Sequence, residues 1–186
     1  MGYLRSLFLG LLGLCLYSLS THAAPTQVMM LQGGWGSISG GGVLVRHQHS
    51  PQRYIDIGAG LSTTGIKVGS RYLHRFSSQV GPFHLIAGAG LGASSGISQE
   101  FVLSSSENTW VFDLSPIAYL HVTLGAYIQT WRYVFSLNTG YFYPLGHPAR
   151  EIRGKSDAEI RRLLALFYGP GPVIEFGIGR ILFHSN

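Results

Sequence analysis

The chain has 186 residues, of which 46% are hydrophobic and only 11% charged, with a net charge of +5. Soluble domains usually carry about a quarter charged residues, so this composition speaks against an ordinary water-exposed globule, and no apolar run reaches the roughly twenty residues of a membrane-crossing helix. Arginine supplies most of the positive charge, since Lys67 and Lys155 are the two lysines; its planar fork suits phosphate of lipid or lipopolysaccharide, and with no nucleic-acid-binding motif present, DNA and RNA are not expected partners.

Arg5 opens an n-region, Leu7 to Tyr17 form an apolar core too short to span as a helix, and Thr21-His22-Ala23 ends on the small residue that signal peptidase prefers. Residues 1–23 are therefore expected to be a cleaved signal peptide, with a single domain over 24–186. Cys15 is the only cysteine, and Leu14 before it does not fit a lipoprotein site. A mature chain without a thiol has no disulfide, cysteine nucleophile or cysteine-ligated metal.

Two weakly patterned segments follow, Val28 to Ile38 and Gly41 to Gln48, both broken by glycine. The next stretches alternate cleanly. In Arg53 to Ser62, Ile55, Ile57, Ala59 and Leu61 share one face, while Tyr54, Asp56, Gly58 and Gly60 share the other. In Gly65 to Phe76, Ile66, Val68 and Tyr72 oppose Lys67, Gly69, Arg71 and Arg75. In Gly81 to Ser94, Phe83, Leu85, Ala87, Ala89 and Leu91 oppose His84, Ile86 and three glycines. In Thr109 to Thr123, Trp110, Phe112, Leu114, Ala118, Leu120 and Val122 oppose Asp113, Ser115, Tyr119 and His121, with Pro116 expected to mark a bulge or a local break. Segments Gly125 to Tyr143 and Pro172 to Phe183 complete eight strands.

An even count returns both ends to one side, which puts the long connections Ser95 to Asn108 and Leu145 to Gly171 together at the other. Short joins are expected at His49 to Gln52, Ser77 to Val80 and Thr123 to Gly125. Gly58-Ala59-Gly60-Leu61 recurs as Gly88-Ala89-Gly90-Leu91, as two equivalent strands would. It is no dinucleotide fingerprint, lacking the spacing and the following helix. Within the last long connection, Ser156 with Glu159 forms a capping box ahead of Ile160, Leu163, Leu164 and Phe167, so a short helix is expected there.

The fold expected is an all-β, eight-stranded antiparallel up-and-down transmembrane β-barrel, apolar outside and polar within. With these strands and their leader, the chain resembles the small outer-membrane barrels of Gram-negative bacteria, a group that includes the OmpA transmembrane domain and OmpX and, more distantly, the lipid-modifying barrels PagP and PagL. The resemblance implies an outer-membrane location, contact with lipid and lipopolysaccharide, and insertion by the outer-membrane assembly machinery. Members usually end on an aromatic residue; here Phe183 is followed by His184-Ser185-Asn186.

For chemistry, the resemblance to PagL-type deacylases is incomplete, because His184-Ser185-Asn186 lacks the spacer that would put the histidine and serine on one face. Ser70 and His74 share a face but stand about 13 Å apart on an extended strand, too far for proton transfer. No catalytic residue, metal or cofactor is assigned; His47 and His49 lack a third ligand and read as a surface turn. Asp56, Lys67, Arg71, Arg75, Asp113, His121 and Glu175 are expected to form a charge network in the lumen, and Arg150, Arg153, Arg161 and Arg162 to meet lipopolysaccharide. The expected role is a non-enzymatic, porin-like envelope barrel whose outer loops contact lipopolysaccharide or a surface protein. A lipid A-modifying enzyme and a secreted lipocalin-like binding barrel are the alternatives.

Overall fold

The computed structural model describes residues 26–76, 82–104, 109–146, 149–153, 160, 162, 164–165 and 168–183, with backbone alone at 98–101, 103–104, 149–153 and 183. The leader expected over 1–23 lies outside them, as does most of the helix expected from Ser156.

Eleven strands form in chain order: β1 Gln27–Trp35, β2 Gly41–Ser50, β3 Arg53–Ser62, β4 Gly65–Arg75, β5 Phe83–Ser94, β6 Ile97–Ser104, β7 Thr109–Leu114, β8 Ile117–Gln129, β9 Tyr133–Pro144, β10 Ala149–Arg153 and β11 Gly171–Phe183. Eight of them close into an antiparallel barrel in the order β1-β11-β9-β8-β5-β4-β3-β2, and β10-β7-β6 make a separate three-stranded sheet. Closure leaves no barrel strand with an unpaired edge, so a main chain surrounded by apolar side chains can still satisfy its hydrogen bonds.

Period-two alternation decides what lies inside. Tyr54 and Asp56 of β3, Arg71, Leu73 and Arg75 of β4, and His84 and Ile86 of β5 are buried, while Leu61, Ile66, Tyr72, Phe83, Leu85 and Leu91 on the opposite faces are exposed. The same split continues through β8, β9 and β11, where Leu120, Val122, Leu124, Leu137, Ile174 and Phe176 point out. The interior of an eight-stranded barrel is just wide enough for side chains to fill, and here the inward-facing set fills it.

Three expectations need correction. Thr109 to Thr123 is not one strand: it is β7, in the outer sheet, followed by β8, in the barrel. Pro116 has no N–H to give a ladder, and of the two interruptions expected there it makes the break, which here separates two sheets. In consequence Trp110, Phe112 and Leu114, expected to face lipid, are buried. The join expected at Thr123 to Gly125 is strand interior, with Gly125 opposite Ile86 and Asn138; the chain reverses instead at Thr130–Arg132, where the Thr130 N–H donates to the Tyr133 carbonyl at 2.8 Å and the Tyr133 N–H to Thr130 Oγ1 at 3.0 Å. Finally, β1 stops at Trp35, and Ile38 belongs to no strand.

The long connections do fall together at one end, here called the loop end. One carries β6 and β7, the other β10, and β10 pairs with β7, joining them outside the barrel.

Candidate functional site

Ionic groups cross the middle of the lumen. Arg46, Asp56 and Arg71 are direct cross-strand neighbours on β2, β3 and β4. Arg46 Nε and Nη2 donate to the two oxygens of Asp56 at 2.8 and 2.9 Å, and Arg71 Nε donates to Asp56 Oδ2 at 3.0 Å. The other end of the Arg71 fork reaches Glu175 Oε1 on β11, which also accepts a bond from Asn138 Nδ2 of β9 at 2.8 Å. In the strand order β11 stands four places from β4, so Arg71 and Glu175 meet from diametrically opposite walls. Two guanidiniums and two carboxylates balance each other in a space where unpaired charge would be very costly. Asp56 and Glu175 are fully buried and Arg46 and Arg71 nearly so.

Aromatic side chains pack beside this array. The Tyr54 and Tyr127 hydroxyls are 2.7 Å apart, and Arg46 lies 5.9 and 5.3 Å from their ring centres. His84 stacks at 4.7 Å on Tyr127, and Leu73, Ile86 and Val134 complete a buried cluster.

On the loop-end side the lumen is occupied by main chain. Residues 36–40, linking β1 to β2, fold inward: Ser37, Ile38 and Ser39 are buried. Gly36 and Gly40 make the reversal at φ of 67° and 66°, a region open to glycine at little strain. A Cβ on Gly69 of β4 would fall 2.6 Å from Ile38 Cγ1, so glycine there makes room for the turn. Tyr119, whose ring covers its cross-strand partner Gly92, donates its hydroxyl to the Ile38 carbonyl at 2.5 Å. Lys67 reaches the Ser37 carbonyl at 3.4 Å.

Of the expected lumen residues, Asp56, Arg71 and Glu175 are joined directly. Arg75 and His121 are buried on inner faces and Lys67 is half-buried nearer the loop end. Asp113 is a correction: it lies on β7 of the outer sheet, where it accepts a bond from Ser115 Oγ at 3.1 Å. Arg46 and Asn138 were missed, although Arg46 alternates with Val43 and Val45 as an inward residue should. Arg150 and Arg153 fall on β10, with side chains outside the described residues; Arg161 is also outside them, and Arg162 is exposed. Ser70 and His74 keep the full four-residue separation, because the β3–β4 register runs without a shift.

No family model matches this chain, and no curated protein is similar to it. Among solved structures, the N-terminal β-barrel domain of OprF from Pseudomonas aeruginosa superposes with a TM-score of 0.50 at 9% identity, over 85% of this chain and 97% of that one. The chain shares the fold of that β-barrel domain. At this identity the shared property is the closed-barrel architecture, and side-chain roles have to be argued from this chain alone.

Proposed function

We propose that this chain is an outer-membrane barrel without enzymatic activity, exported by its leader, that strengthens the envelope and meets lipopolysaccharide or a surface partner through its outer connections. The observation that carries the reading is the pairing of an apolar exterior with a lumen bridged by ion pairs. Leu124, Leu137, Phe176 and their neighbours face outward, where water would make them a large aggregation-prone patch and acyl chains would not. Arg71 and Glu175 tie opposite walls together inside, which favours a structural core over a wide pore. A lipocalin-like carrier needs an apolar cavity, and this interior is ionic.

Exposed aromatics lie toward both ends of the belt. Phe76, Phe83, Trp131 and Tyr133 sit at one, and Trp35, Tyr141 and Tyr143 at the other. This is the distribution favoured at lipid–water boundaries. Arg132 stacks on Trp131 with its guanidinium 3.7 Å from the ring centre, and can turn its charge to head groups. The last long connection carries Arg150, Arg153, Arg161 and Arg162 in its sequence, and guanidinium groups suit lipopolysaccharide phosphate.

Two measurements test the reading together. After membrane fractionation, the mature protein should be recovered with the outer membrane and migrate faster in unboiled than in boiled gel samples. In planar bilayers it should give no steady conductance. Recovery in a soluble fraction, or a sustained open channel, contradicts the proposal.

A further inference from the structure

We infer that the loop-end mouth of the barrel is a binding pocket for a small organic carboxylate, anchored by the Lys67 ammonium. A cavity of about 210 Å³ opens there, lined among others by Lys67, Ser37, Thr64, Ser94, Tyr119 and Phe142. An apolar cavity of about 150 Å³ holds benzene, so this one has room for a ring or short chain bearing one carboxylate. The inward turn at residues 36–40 forms its floor, with Ile38 wholly buried beneath. The pocket is therefore a blind one.

Three features favour an anion with an apolar body. First, Arg46 and Arg71 are matched by Asp56 and Glu175, but no carboxylate among the described residues comes within 4.0 Å of the Lys67 ammonium. Its neighbours are the Ser37 carbonyl at 3.4 Å and the faces of Tyr119 and Phe142, 4.9 and 5.8 Å from the ring centres. An ammonium has three N–H donors, so this one retains capacity for an anion. Second, much of the remaining lining is apolar, with Leu61, Ile117 and Pro144 beside Phe142. Third, the facing hydroxyls are already held: Thr64 Oγ1 lies 2.9 Å from Ser62 Oγ and accepts from Ser94 Oγ at 2.8 Å. They form a fixed polar rim beside an apolar wall. A single ammonium matches the one negative charge of a carboxylate; a phosphate dianion calls for more donors, typically an arginine fork.

The test is a titration of the folded, isotope-labelled barrel in maltoside micelles, read from backbone amide resonances. Benzoate should produce saturable shifts at Gly36, Ser37, Thr64 and Lys67. Lys67→Met should weaken its binding about tenfold or more, the loss of one charge-assisted hydrogen bond. Lys67→Gln, which keeps a polar side chain but removes the charge, should weaken it comparably and carries the test if Lys67→Met does not fold. Benzyl alcohol and inorganic phosphate should give no saturable shift at these residues. The proposal is overturned if benzoate does not saturate, if neither substitution affects it, if benzyl alcohol matches it, or if phosphate binds in its place.

Discussion

At the scale of single residues, Asp56 holds the lumen together because it separates two guanidiniums. Register puts Arg46 and Arg71 on either side of it, and both donate to it. Asp56→Ala leaves them facing each other with one carboxylate, Glu175, for the pair, and should lower the unfolding free energy by about 3–5 kcal/mol. Arg46→Met should cost less, since Asp56 then keeps Arg71 and the methionine fills part of the volume. Urea unfolding in lipid vesicles, followed by tryptophan fluorescence, measures both; equal losses would mean that Asp56 is not the shared partner. The inward positions of Asp56, Arg71 and Glu175 could be read from alternation alone. That Arg71 crosses the lumen to Glu175 could not, because the distance across a barrel depends on closure, a property of all eight strands. Asp113 was misplaced for a related reason. Its parity was read as though β7 continued into β8, and parity carries no meaning across a change of sheet.

At the scale of elements, what was legible depended on how regular the ladder is. β3, β4 and β5 alternate strictly and their bounds follow from their pattern. In β8 the glycine at 125 imitates a turn, yet it lies within a ladder where Asn138 on β9 fills the space beside it. The inward fold of residues 36–40 had no local signal, since the void it enters is made by Gly58 and Gly69 on strands distant in sequence. That dependence is testable. Gly69→Val should drive Ile38 out of the lumen and speed hydrogen exchange at the Gly40 amide, which donates to the Ser37 carbonyl at 3.2 Å; Tyr119→Phe should act the same way more weakly, at about 0.5–1.5 kcal/mol for one lost hydrogen bond. Unchanged exchange in both would show the turn to be held by something else. The outer face of β8 supplies a different test. Leu124 lies near the middle of the strand and Ile128 near its end, with similar exposure at 57% and 45%. In a bilayer, Leu124→Arg should cost about 2–4 kcal/mol and Ile128→Arg about 0–1 kcal/mol. In water the two would differ little, so vesicle unfolding of the pair reports directly on what solvates this face.

At the scale of the whole molecule, closure and decoration are separable. The barrel ladders run β1-β11-β9-β8-β5-β4-β3-β2 without help from the outer sheet, whereas β6 and β7 are tied to the other long connection by the β10–β7 pairing. The sequence pattern reveals the first of these arrangements because each barrel strand is half-buried in two different media, which enforces alternation. It conceals the second, since β7 has Trp110, Val111 and Phe112 all buried and so shows no parity. Replacing Ala149–Arg153 with a glycine-serine linker should therefore leave the heat-dependent gel shift intact while making β6 and β7 more accessible to protease added from the loop side. If the gel shift were lost instead, the outer sheet would be part of what closes the barrel, and the stability of the cylinder could not be assigned to its own ladders and the ionic bridge between its walls.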